Sequence, residues 1–209
     1  VGSDRVGMII KETMEKNGVD TRYLSCYEGK KTAISLAFLD KNSNADYSFY
    51  KDYPNIRLEF DLPVMDSNDI VLFGSYYALN PVLRKQVGGF LKHAKKCGSL
   101  LYYDLNFRAN HKDEKESLYS TFKENYVLAD IVRGSDEDFD ILYGEKDIWK
   151  IYNEYIAPHC DTLIMTHGAH GVELIVKGQH LLVESTKIDH VVSTIGAGDN
   201  FNAGIAYSL

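Results

Sequence analysis

Between Ile70 and Met165 short, wholly apolar runs recur, and stretches of helical spacing separate them. Ile70-Val71-Leu72-Phe73 precedes a predicted helix from about Pro81 to Lys96, and Leu100-Leu101-Tyr102-Tyr103 follows it. Ile131-Val132 and Leu163-Ile164-Met165 continue the series. A strand with no polar face must be covered on both sides, so the alternation implies a mostly parallel sheet between layers of helices. Ligands of such sheets gather beyond the carboxyl ends of the strands. Leu174-Ile175-Val176 and Leu181-Leu182-Val183, split by Lys177-Gly178-Gln179-His180, read as a closing hairpin.

Ahead of this region the pattern is different. Val6, Ile9, Ile10 and Met14 are spaced for one face of a helix over residues 6–17, with Gly18 placed to end it in a left-handed conformation. From Thr21 to Phe60, alternating and aromatic runs at Thr32–Leu39 and Tyr47–Tyr50 flank the polar turn Asp40–Asn44, a small antiparallel β unit. At 209 residues, 44% apolar and 25% charged, the chain can bury one substantial core, which sets aside disordered and fibrous classes. A net charge of -7 without clustered Lys or Arg argues against nucleic-acid or anionic-membrane partners. Cys26, Cys97 and Cys160 are too few and too scattered for a disulfide framework or zinc knuckle, so the cytoplasm is the expected compartment. No apolar run approaches the roughly 20 residues that span a bilayer. Val1–Arg5 lacks the features of a signal peptide, and the missing initiator Met suggests an earlier start to the protein.

The segment richest in chemistry is Ser193-Thr194-Ile195-Gly196-Ala197-Gly198-Asp199-Asn200. Small residues leading into a helix leave backbone N–H groups open to an anion, and the helix dipole adds favourable potential. Phosphate suits such a place. Phosphoryl transfer asks the protein for positioning, charge stabilisation and a base for the attacking hydroxyl, and Asp199 stands where that base is needed. The plainer alternative is a tightly packed helix start with Asp199 favoured by the dipole.

This segment resembles the C-terminal signature of the PfkB carbohydrate kinases, built on a GAGD core. Asp104-Leu105-Asn106-Phe107-Arg108 resembles the D-x-N-x-R element of the fructokinase and 2-keto-3-deoxygluconate kinase branches. Ala129–Asp138 resembles the strand and helix start that carries N-x-x-E, with Ser135 and Asp138 in place of Asn and Glu. Thr166-His167-Gly168-Ala169-His170-Gly171 resembles the T-x-G-x-x-G turn on the nucleotide side, and Val1–Gly7 with Asn17–Thr21 resembles the stretch before the lid.

The resemblance implies a ribokinase-like α/β domain, a three-layer sandwich over residues 1–20 and 61–209, with residues 21–60 as an antiparallel β lid. It implies ATP and Mg²⁺ as cofactors and a small free sugar as substrate. Asp199 would be the base, and Gly196, Ala197 and Gly198 the anion hole. Asp104, Asn106 and Arg108 would meet the sugar, while Ser135, Thr166, Gly168 and Gly171 would serve the nucleotide. Asp138 would help organise the metal, or alternatively close a capping box with Ser135. Lys51 is a lid cation suited to an acidic sugar. The resemblance further implies segments beyond both ends of this chain, and pairing of two copies through the lid.

Three other readings stay open. A non-catalytic descendant would fit the altered N-x-x-E element, and a nucleoside kinase shares the family. An unrelated dinucleotide-binding fold would want a Gly-rich turn after the first strand, which is absent, as is a Walker A sequence. His167 and His170 are spaced to share a metal ion but lack an evident third ligand. Tyr76 and Tyr77, beside Gly74-Ser75, are candidates for a sugar pocket or plain core.

Overall fold

The computed structural model describes residues 1–39, 45–50 and 61–209. These gather into two compact units, Val1–Phe60 with Ile188–Leu209, and Asp61–Lys187. The expected lid turn at residues 40–44 and Lys51 lie outside the described residues.

In the first unit, α1 (Arg5–Lys16) starts at Asp4, whose carboxylate accepts from Gly7 N–H, and it stops before Gly18 at φ 76°. Its amphipathic spacing predicts a buried stripe, yet Met8 and Ile9 are exposed and only Gly7 of this helix is buried. Closeness of backbones explains the glycine: a Cβ there would lie 2.1 Å from Gly2 O. Two antiparallel strands follow, β1 (Ile34–Leu39) and β2 (Ala45–Tyr50), in register from Ile34 opposite Tyr50 to Leu39 opposite Ala45.

The second unit holds a six-stranded sheet in sequential order. β3 (Ile70–Gly74), β4 (Leu100–Asp104), β5 (Ile131–Ser135) and β6 (Thr162–Thr166) run parallel, and β7 (Val172–Val176) and β8 (Gln179–Val183) close the sheet as an antiparallel hairpin. Between the strands lie α2 (Ser75–Leu79), α3 (Arg84–Cys97), α4 (Lys115–Leu128), α5 (Asp136–Tyr143) and α6 (Ile148–Ile151). The predicted helix from about Pro81 to Lys96 is α3, which starts later, at Arg84, because a turn precedes it in which Asn80 accepts from Val82 N–H with its side chain and from Leu83 N–H with its carbonyl; the short α2 ahead of it is unexpected.

Alternation along the strands sorts the side chains. Tyr103, Val132, Leu163 and Ile175 stand in one cross-strand row and form a buried cluster with Phe122 and Tyr126 of α4 and Phe139 and Leu142 of α5. Each such side chain contributes roughly 1.5–3 kcal/mol when fully buried. The opposite face carries Tyr102, Ile131 and Ile164, also buried, together with Asp104 and Arg133. Among the described residues no helix is long and apolar enough to cross a membrane.

Candidate functional site

Because β3 to β6 are parallel, their carboxyl ends share one edge, and the expected site residues of the second unit fall there. Asp104 ends β4, Ser135 ends β5 and Thr166 ends β6, with Ser135 and Thr166 directly paired. After β4 the chain buries Leu105 and Phe107 in the core and turns Asn106 and Arg108 outward. Asn106 takes φ 37°, a left-handed conformation that Asn tolerates better than most residues. The loop is held from β5 and the start of α5: Leu105 N–H donates to Arg133 O at 2.9 Å and Phe107 N–H to Asp138 Oδ1 at 2.7 Å. Arg133 Nη1 donates to Asp104 Oδ1 at 2.9 Å, a pair buried on both sides.

Ser135 and Asp138 form a complete capping box at the start of α5. Asp138 Oδ2 accepts from Ser135 N–H at 2.7 Å and from Ser135 Oγ–H at 2.8 Å, while Ser135 Oγ accepts from Asp138 N–H. With Phe107 on Oδ1, both carboxylate oxygens already hold protein donors. Burial pushes the Asp138 carboxyl above the ordinary aspartate range, against the lowering effect of these hydrogen bonds.

Thr166 Oγ1 accepts from Arg133 Nη2 at 2.9 Å. Beyond it the turn closes on itself, with His167 N–H donating to Gly171 O at 2.9 Å. Gly168 and Gly171 sit at φ 56° and 101°, and a Cβ on Gly171 would meet Val183 O at 2.2 Å. His167 lies 2.9 Å from Glu173 and 3.6 Å from Asp136, and His180 lies 2.7 Å from the other oxygen of Glu173. Among the described residues no cluster of three His, Cys, Asp or Glu side chains is arranged for a metal ion.

In the first unit, Ser193–Gly196 forms a turn into α7 (Ala197–Ser208). Ile195 N–H donates to Ser193 Oγ, Ala197 N–H to Thr194 O, and Asn200 N–H and Nδ2–H both to Gly196 O. Gly196 is left-handed at φ 78°, which its lack of a Cβ allows. Among the described residues the amides of Gly198 and Asp199 meet no protein acceptor, and the exposed Asp199 side chain lies in the first helical turn. Free amides at a helix start are suited to an oxyanion.

The pfkB family carbohydrate kinase profile matches residues 1–209. The chain belongs to that family. Among curated relatives, a probable fructokinase-2 of Arabidopsis thaliana is 27% identical over 206 residues, covering 96% of this chain and 62% of that protein. The 5-dehydro-2-deoxygluconokinase of Geobacillus thermodenitrificans is 24% identical over 220 residues, covering all of this chain and 65% of its own length. The chain therefore spans a little under two thirds of these pfkB relatives. The fructokinase of Vibrio cholerae O395, in its fructose-, ADP- and calcium-bound crystal structure, superposes with a TM-score of 0.83 at 23% identity over 99% of this chain and 68% of that one. The aminoimidazole riboside kinase of Salmonella enterica, complexed with its riboside and an ATP analogue, gives a TM-score of 0.81 at 23% identity, covering 99% and 68%. At such identities the likeness establishes the fold, which is ribokinase-like.

Arg133 is a site residue that the sequence does not make obvious. Its one signal in the sequence is a lone charge in a strand buried on both faces, which requires a buried counter-ion. Tyr76 does not stand alone: its ring stacks on His111 at 3.8 Å and its hydroxyl donates to Glu114, tying α2 to the turn after the Asp104–Arg108 loop.

Proposed function

We propose that this chain serves ATP-dependent phosphorylation of a hydroxyl on a small free sugar, a ketose such as fructose or a keto-deoxy sugar acid. The observation that carries this reading is the turn into α7, where unpaired amides at Gly198 and Asp199 stand beside the Asp199 carboxylate. Family membership and the names of the relatives, fructokinase and 5-dehydro-2-deoxygluconokinase, support the substrate class.

ATP supplies the phosphoryl group. Asp199 accepts the proton of the attacking hydroxyl as the new O–P bond forms and the bond to the ADP oxygen breaks. The open amides at Gly198 and Asp199 stabilise charge developing on the transferred group, each well-aimed donor being worth about 3 kcal/mol, while Gly196 and Ala197 shape the turn, the Ala197 N–H being held by Thr194 O. Asp104, Asn106 and Arg108 orient the sugar, and Ser135, Thr166, Gly168 and Gly171 shape the nucleotide side. A direct bond from Asp138 to magnesium does not fit, since both oxygens hold protein donors. Its proposed part in organising the metal runs through water. Pairing of two copies through β1 and β2 belongs to the same proposal.

ADP release measured over a panel of hexoses, pentoses, sugar acids and nucleosides tests the reading, with Asp199→Asn beside the unaltered protein. Sugar-dependent turnover that falls by about 10² to 10⁴ in the variant is expected. Turnover unaffected by the substitution would remove Asp199 from its role. ATP binding without turnover on any panel member would favour a non-catalytic homologue.

A further inference from the structure

Arg133 occupies a place that the proposed reaction leaves unused. It sits in the middle of β5, buried, and its guanidinium divides between the neighbouring strands. Nη1 donates to Asp104 Oδ1 at 2.9 Å at the end of β4, and Nη2 donates to Thr166 Oγ1 at 2.9 Å at the end of β6. Its carbonyl accepts from Leu105 N–H at 2.9 Å, so main chain and side chain both grip the loop that presents Asn106 and Arg108. Burying a guanidinium is costly, and a single counter-ion would meet the need for charge. The second arm goes instead to a hydroxyl on the turn assigned to the nucleotide.

We propose that Arg133 is a positioning residue that couples the sugar-side loop after β4 to the nucleotide-side turn after β6, so that occupancy of one raises affinity at the other. The proposal rests on the kinase reading for the identity of the two ligands. Its geometry is specific to arginine. The planar fork spans two acceptors with rigid spacing, whereas a lysine at the same position carries the charge on one nitrogen and satisfies one side at a time. Movement of Asp104 on sugar binding is thereby transmitted through one rigid group to Thr166. Coupling of this kind is reciprocal, the same factor appearing whichever ligand is added first.

The test is calorimetric titration of the full chain with the panel sugar of highest affinity and with a non-hydrolysable ATP analogue, each alone and in the presence of the other. In the unaltered protein each ligand is expected to tighten the other by about fivefold or more. Arg133→Lys should still bind both ligands and bring the factor close to one; Thr166→Val, on the side assigned to the nucleotide, is expected to weaken the ATP analogue by itself, and the ratio of its affinities with and without sugar should likewise fall close to one. Thr166→Val removes only one arm and keeps shape and the Arg133–Asp104 pair, so it answers the question if Arg133→Lys folds poorly. A coupling factor unchanged in a folded variant, or the absence of coupling in the unaltered protein, overturns the proposal. Coupled binding without turnover would instead sink the kinase reading alone, and binding of neither ligand would overturn both.

Discussion

Asp138 shows how one carboxylate can order a loop and a helix start at once. It satisfies Ser135 N–H, Ser135 Oγ–H and Phe107 N–H, joining the start of α5 to the loop that follows β4. Truncation to Ala would leave two buried N–H groups without an acceptor, each costing about 1–3 kcal/mol. Asp138→Ala is therefore expected to lower the urea midpoint by an amount equivalent to about 2–5 kcal/mol, and a loss under about 1 kcal/mol would show that solvent or a shifted backbone takes over. At this scale the sequence was legible where a residue's neighbours in the chain are also its partners. Ser135 and Asp138, three apart, announce their box. Arg133 does not announce its partners, because Asp104 and Thr166 are 29 and 33 residues away and meet it only through the sheet register.

Elements repeat the lesson with different physics. β4 to β6 are readable because a strand covered on both faces leaves an apolar run; the edge strand β3 carries such a run too and is readable, although Leu72 is exposed. α2 is not: it has five residues, no side-chain cap at Gly74, and Ser75 begins it at φ 56°. Space fixes that corner, since a Cβ on Gly74 would lie 1.8 Å from Asp104 O. Helix α1 is readable as a helix and only partly as a packing face: of its predicted stripe Val6, Ile10 and Met14 are half-buried and Ile9 is exposed. What holds it is its first turn. Asp4 accepts from Thr32 Oγ–H at 2.6 Å, from Gly7 N–H and from Thr32 N–H, and these bonds, Thr32 Oγ–H first, hold its carboxyl down to about 2. A folded value below the unfolded one, about 3.9, means stability present above about pH 4 and lost as the pH falls toward 2. Amide exchange at Gly7 and Thr32 should thus be slower in the unaltered chain than in Asp4→Asn at neutral pH. The gap should close between about pH 4 and 2, and one that persists at the acid end would mean that the carboxylate charge is not its source.

For the molecule as a whole, the informative surface is the ribbon of β1 and β2. Two strands alone are marginal in water and need a covered face. Register places Ile34, Leu36 and Phe38 on one side with Tyr50 opposite Ile34, and all four are exposed, Phe38 by 59%. Apolar side chains clustered in this way suit burial against a like surface, although the register also sets Asp46 opposite Phe38 at the end of the row. The proposed pairing with a second copy of the same ribbon would supply that surface, with the two-fold complementarity that such a contact requires. Light scattering on the eluting protein would measure this directly. The unaltered protein is expected at twice its monomer mass, and Phe38→Asp at the monomer mass, because the substitution replaces the most exposed apolar side chain of the row after Tyr50 by a carboxylate opposite Asp46, and burying the two without a counter-ion is costly. Glu12→Lys, on the exposed side of α1, should leave the mass unchanged. A monomeric mass for the unaltered protein at tens of micromolar would remove the pairing. A dimer that survives Phe38→Asp would move it to another surface, because an isologous contact centred on this row cannot absorb that charge without coming apart.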